Sequence, residues 1–190
     1  MALPPSLRTS VTPAELEFIA SEQLVEIVPL VAMERTAFIS GAYGPLRPPA
    51  KCKVAIWIAK NLKLKKKCHI MPPAWLNVDF LQDCLARETS QPEFSELPFR
   101  FVEIAKMLLD VAPDDVSNPD KIRSLLQDIR EARQAKSQEG LSKLDHSELS
   151  LPNLCSMEIN EIRPFFVRSM GILTQLVREP EAQQEDQFEQ

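Results

Sequence analysis

The chain has 190 residues, 44% of them hydrophobic and 26% charged, with a formal net charge of −5. That balance fits a folded chain with a core of its own, as one ordinary domain or two small ones, and excludes a disordered tail or a membrane-embedded composition. Only four glycines and two histidines occur, which argues against Gly-rich phosphate cradles and against His-based acid–base or zinc chemistry.

Residues 1–11 contain prolines and serines and read as a flexible N-terminus. Thr12-Pro13-Ala14-Glu15 then signals a helix start: Thr12 caps, Pro13 suits the first helical position, and Glu15 closes a capping box. A β-favouring stretch follows, Leu24, Val25, Ile27 and Val28 before Pro29, and a second short strand is expected at Ala37-Phe38-Ile39. Gly41 to Pro45 reads as a turn, and Pro48-Pro49 extends the loop. Lys53 to Ala59 reads as a strand running into a helix, and the basic Asn61 to Met71 as a linker or an exposed helix face.

After Pro72-Pro73 the pattern turns helical. Ala74 to Arg87 is amphipathic, and a Pro- and Ser-rich loop spans Thr89 to Pro98. Phe101, Ile104, Ala105, Leu108 and Leu109 share one helical face. Asn118 and Pro119 open another helix, striped by Ile122, Leu125, Leu126 and Ile129, with Gly140 as its expected stop. Leu141 to Pro152 reads as irregular. A last helix carries Ile162, Phe165, Phe166, Ser169, Met170, Leu173 and Leu176, with Pro164 expected in its first turn. Glu179 to Gln190 holds five acids, four glutamines and no base, the composition of a disordered acidic tail. The expected fold class is therefore α+β and mostly α. A small β-rich domain at 12–62 precedes a larger helical domain at 63–178, with flexible ends at 1–11 and 179–190.

The charge is unevenly placed. Nine Lys/Arg and no Asp or Glu lie between Arg35 and Val78, so the rest of the chain is strongly acidic. The cluster Lys63, Lys65, Lys66 and Lys67 has the chemistry to neutralise phosphates. Only Trp57 and Trp75 flank it, which is poor aromatic support for stacking on single strands, and a solvated basic surface or a nuclear-import patch explains it as well. The cysteines Cys52, Cys68, Cys84 and Cys155 form no CxxC pair and read as reduced, mostly buried thiols of an intracellular protein. No signal peptide or membrane span is read. Asp145-His146-Ser147 is read as a solvated turn, since triad members converge from separate elements. His69 has no carboxylate within nine residues. Glu158 and Glu161, three apart, suit helix capping or solvation. No catalytic, metal or cofactor site is expected. The apolar stripes are core signals first, but three of them in a short chain leave a face for a partner.

Several stretches carry a resemblance. They are Thr12-Pro13-Ala14-Glu15-Leu16-Glu17-Phe18-Ile19, Leu24 to Pro29, Gly41 to Pro49, and Ile56-Trp57-Ile58-Ala59-Lys60-Asn61-Leu62. Lys67-Cys68-His69-Ile70-Met71-Pro72-Pro73-Ala74-Trp75-Leu76 and Met157-Glu158-Ile159-Asn160-Glu161-Ile162-Arg163-Pro164-Phe165-Phe166 follow. In this order, from about residue 12 to about residue 177, the chain resembles the second subunit of the eukaryotic GINS complex, the "partner of Sld five, two" family. The resemblance implies a nuclear, non-catalytic member of a heterotetramer with three other GINS subunits. It also implies that the complex joins the MCM motor ring and a second accessory factor as the active replicative helicase, with replicative polymerases as indirect partners. No membrane partner is implied. Met157, Glu158, Asn160, Arg163, Phe165 and Phe166 become the candidate interface, with stabilisation of the subunit's own fold as the equal alternative. A stand-alone DNA-binding protein using Lys63, Lys65, Lys66 and Lys67 is a second reading, and an unrecognised enzyme a third.

Overall fold

A computed structural model describes residues 11–142 and 152–185. The expectations for residues 1–10, for Asp145-His146-Ser147 and for the last five residues lie outside the described residues. In chain order the elements are α1 (Pro13–Ala20), β1 (Leu24–Pro29), β2 (Thr36–Phe38), β3 (Gly41–Tyr43), β4 (Cys52–Ala55) and α2 (Ile56–Leu64). Then come β5 (Cys68–Met71), α3 (Val78–Ser90), α4 (Phe101–Val111), a 3-10 turn (Pro113–Asp115), α5 (Pro119–Ser142) and α6 (Ser156–Glu185). The architecture is the expected α+β one, with the small sheet first and the helices after it.

Helix α1 begins as its sequence dictates. The Thr12 hydroxyl accepts from the Glu15 N–H, and the Glu15 carboxylate accepts from the Thr12 N–H at 2.8 Å. These bonds hold the Glu15 carboxyl below its usual range. The three-stranded antiparallel sheet has the order β4-β1-β5. Val25 and Ile27 alternate inward on the central strand, opposite Val54 and Ile70. Helix α2 lays Ile56, Ile58 and Ala59 on this sheet.

Of the two readings of residues 61–71, a linker or an exposed helix face, the second holds only as far as Leu64, where α2 ends, and strand β5 takes Cys68–Met71. Pairing with β1 carries the sheet to Met71 rather than ending the β-rich part near Leu62. The lysines form the tight exit from α2. Lys66 takes a left-handed φ of 57°, its N–H reaches the Lys63 carbonyl at 2.8 Å, and the Lys67 N–H reaches the Leu62 carbonyl at 2.9 Å. That is a Schellman closure with lysine in the place usually held by glycine. Cationic side chains there also suit the negative end of the helix dipole.

A second correction concerns Gly41 to Tyr43, which forms β3 of a hairpin rather than a turn. The hairpin turn lies before it, at Ile39-Ser40, and Gly44 leaves β3 with a φ of +99°, where a Cβ would sit 3.2 Å from the Glu34 carbonyl oxygen. Phe38 and Tyr43 from this hairpin flank Trp57 of α2, Phe38 edge-on at 5.2 Å between ring centroids.

In the helical part, α3 packs on α5 and α1 packs on α4 and α6. Asn77 caps α3, its side-chain oxygen accepting from the Phe80 N–H at 2.8 Å. The stripes on α4 and α5 are buried as expected, and one continuous core joins them to the sheet. Three expected boundaries move. Helix α5 runs through Gly140 to Ser142. Helix α6 continues past 178 to Glu185, so 179–185 belong to a helix rather than to a disordered tail. Pro164 is the ninth residue of α6, not part of its first turn. The start of α6 is fixed upstream, where the Glu158 carboxylate accepts from the Cys155 N–H at 2.8 Å. Among the described residues, no helix is long and apolar enough to cross a membrane.

Candidate functional site

The root of α6 joins most of the helical elements through side chains that alternate around the helix. Ser156 donates its N–H to the Phe99 carbonyl and its hydroxyl to the Glu103 carboxylate of α4. Glu161 accepts from Arg130 of α5 at 2.9 Å. Asn160, buried, holds the main chain of Val11 at both ends: its Oδ1 accepts from the Val11 N–H and its Nδ2 donates to the Val11 carbonyl, each at 2.7 Å. Val11, expected as the end of a flexible N-terminus, is therefore held by α6.

Glu158 faces the centre of this junction, where Arg133 of α5 is fully buried. All five guanidinium N–H groups have acceptors. Nε and Nη2 fork onto Glu158 at 2.6 and 2.9 Å, and Nη1 reaches Glu88 of α3 at 2.6 Å. The remaining donors meet the Ser95 and Asn153 carbonyls. Glu88 also accepts from the Ser95 N–H and hydroxyl and from Lys136 at 2.6 Å. The Phe94 ring lies 4.8 Å from the guanidinium carbon. Two cations and two anions balance, which a buried cluster needs. Burial pulls the Arg133 pKa down, but Glu158 and Glu88 outweigh it and the group is held above its ordinary value. Burial likewise raises Glu88, and the bonds from Lys136, Ser95 and Arg133 bring it below the usual carboxylate range.

The six candidate interface residues thus divide. Glu158 and Asn160 secure the chain's own fold. Met157, Arg163 and Phe166 are half-buried, and Phe165 is 53% exposed. Ile172, two turns further on, is 54% exposed. Of the three apolar stripes, those on α4 and α5 are largely buried within the chain, while α6 leaves Phe165 and Met170 of its stripe exposed.

The four lysines also divide. Lys65, Lys66 and Lys67 are exposed. Lys63 has a side chain only 10% exposed, pairing with Asp114 and Asp115 of the 3-10 turn at 2.8 Å each. Asp115 also accepts from the Ile70 N–H at 2.7 Å and meets His69 Nδ1 at 3.0 Å, so this turn fastens strand β5 to the helical part. Burial raises the Asp115 pKa, but the bonds from Lys63, Ile70 and His69 bring it below its ordinary value. Burial raises the Cys68 and Cys155 thiols to about 11 and about 12. Arg133, Glu88, Lys136 and Asp115 are absent from the sequence reading; their ion-pair partners lie tens of residues away, and for the three on helices a charged residue at a core position of an amphipathic pattern was the one available signal.

Known proteins match this arrangement over nearly the whole chain. Residues 12–71 match the family described as the PSF2 N-terminal domain. Residues 75–177 match the GINS complex protein helical bundle domain. The DNA replication complex GINS protein psf2 of Schizosaccharomyces pombe is 40% identical over 178 residues, covering 94% of this chain and 97% of the relative. The PSF2 protein of Debaryomyces hansenii is 42% identical over 178 residues, covering 93% and 86%. The human PSF2 protein is 32% identical over 167 residues, covering 86% and 90%. With the sheet, the helical bundle and the α6 root each inside the matched ranges, the chain belongs to the PSF2 family of GINS complex proteins.

Proposed function

We propose that this chain is a non-catalytic, nuclear scaffold subunit. It assembles with three other GINS subunits into a heterotetramer. That assembly joins the MCM motor ring and a second accessory factor as the active replicative helicase and links it to polymerases. ATP hydrolysis and strand separation belong to the motor ring, and this chain contributes rigid surface. The observation that carries the reading is the outward face of α6. Its first two turns are fixed by buried polar bonds, and Phe165 just beyond them is half in water. An aromatic held rigidly at a surface loses little entropy on docking and forms a strong anchor.

Co-expression with the three other GINS subunits tests it. Phe165→Glu should abolish stoichiometric recovery of the four chains while leaving the melting of the isolated chain unchanged. A truncated hot-spot aromatic costs roughly 2 kcal/mol or more, about thirtyfold in affinity. Full recovery of the tetramer with Phe165→Glu would refute the assignment of this face. Direct DNA binding through the lysines is the weaker reading, because Lys63 is committed to Asp114 and Asp115. It would show as DNA affinity of the isolated chain that falls steeply with salt.

A further inference from the structure

Three apolar side chains stand half or more in water at the C-terminal end of α2. Leu64 ends the helix at 66% exposure, and Leu30 and Val31, which follow β1, are each 50% exposed. The helix closure joins the two segments: the Leu30 N–H donates to the Lys67 carbonyl at 2.8 Å, while the Lys67 N–H is bonded back to the Leu62 carbonyl. Lys65, Lys66 and Lys67 surround this corner, and Lys60 lies one turn before Leu64 on the same helical face, all four exposed. Among the described residues, the lysine ion pairs belong to Lys53, Lys63, Lys106 and Lys136, so these four ammonium groups have no anionic partner. Asp114 and Asp115 are held by Lys63, and Glu34 is the one acid in the loop from Leu30 to Arg35.

We infer that this corner docks an acidic peptide segment bearing large apolar side chains, supplied by a protein outside the GINS subunits. The charge calls for an anion, and the apolar residues decide its kind. A phosphate backbone would satisfy the lysines but leave Leu30, Val31 and Leu64 in water, with no aromatic among them on which a base could stack. An anionic lipid surface is best met by a long amphipathic helix with an aromatic apolar face, whereas here the apolar residues sit at a helix end and a strand exit. A peptide meets both needs: leucine or phenylalanine covers the apolar side chains, and carboxylates pair with the lysines around them. The backbone bonds among Leu30, Lys67 and Leu62 fix the corner before any partner arrives, which lowers the entropic cost of docking. This role goes beyond that of a subunit and does not rest on it.

The test measures fluorescence anisotropy of a labelled peptide of about twelve residues, glutamates flanking two leucines and one phenylalanine, on the full 190-residue chain. It is compared with the same peptide carrying serine at each apolar position, with a random-sequence DNA duplex, and with phosphatidylserine vesicles by co-sedimentation. The apolar peptide should bind about tenfold tighter than its serine counterpart. Leu64→Gln should remove most of that preference, and Lys67→Glu should weaken the apolar peptide about tenfold at low salt. Both side chains are exposed, and melting of each variant checks that the fold is kept. Binding should persist in the complex with the other GINS subunits. Absence of binding, equal affinity for the two peptides, or indifference to Leu64→Gln overturns the proposal. So does tighter binding to the DNA or the vesicles, which would give the corner to nucleic acid or to a membrane. Loss of peptide binding on assembly also overturns it, giving the corner to a sister subunit.

Discussion

Replacing Arg133 by methionine should be among the most damaging single changes in the chain. The side chain volume is roughly kept, so the loss is electrostatic. Glu158 forfeits a two-pronged partner and retains the Cys155 N–H, while Glu88 retains Ser95 and Lys136. Two carbonyls, of Ser95 and Asn153, lose their guanidinium donors as well. Removing one partner from a buried charge cluster costs about 3–5 kcal/mol. For a chain of this size each kcal/mol shifts the melting temperature by about 2–4 °C, so a fall of about 10 °C is expected. Arg133→Lys keeps the charge but not the fork and should recover only part of it. Calorimetry against pH supplies an independent check. Glu88 has a folded pKa below its unfolded value near 4.5, so its contribution is complete above that pH and is lost as the pH falls further. That acid limb should shrink in Arg133→Met, because Arg133 is one of the groups that depress Glu88. A variant melting within about 2 °C of the parent, with the same acid limb, would refute the network's role.

Other outcomes follow from the same geometry. Lys66→Gly should raise stability by about 1 kcal/mol in a denaturant melt, because it relieves a left-handed non-glycine residue without touching the closure. Asn160→Ala should cost about 1–3 kcal/mol, with faster amide exchange at Val11, since its two bonds to the main chain disappear. Asp115→Asn should cost about 1.5–3 kcal/mol above pH 5 by losing its charged partners, and the difference from the parent should narrow as the pH drops below the ordinary aspartate value of 3.8.

What was legible in the sequence was local. Thr12 and Glu15 lie within one turn of each other, so the cap is written in four consecutive residues. The stripes of α4, Phe101 to Leu109, and α5, Ile122 to Ile129, each span more than two turns and declare their buried faces. The junction chemistry is not local. Arg133 meets Glu88 across 45 residues and Glu158 across 25, and His69, with no acid nearby in sequence, finds Asp115 46 residues away. Strand β5 was hidden because Lys66, within a run of lysines, stands where a glycine normally marks a helix end. Pro164 misled for a related reason: the helix start was judged from the proline, whereas a single carboxylate at Glu158 sets it. Within the Met157 to Phe166 segment the division was not legible, since only packing separates Asn160, bonded to Val11, from Phe165, turned to water.

The bonds between Asn160 and Val11 span 149 residues of chain. Ribosomes release the N-terminus first, and domains fold as their segments emerge. Helix α1 can cap itself as soon as Glu15 is made, yet its entry residue has nothing to hold until residue 160 has cleared the exit tunnel. Arg133 meets the same delay, able to reach Glu88 early but lacking Glu158 for 25 more residues. During that interval α3, α4 and α5 hold a cation that is only half neutralised. The completed subunit is therefore sealed in one late event, when the root of α6 arrives. A nascent chain stalled before residue 156 should be markedly more sensitive to protease at α1 than the finished protein.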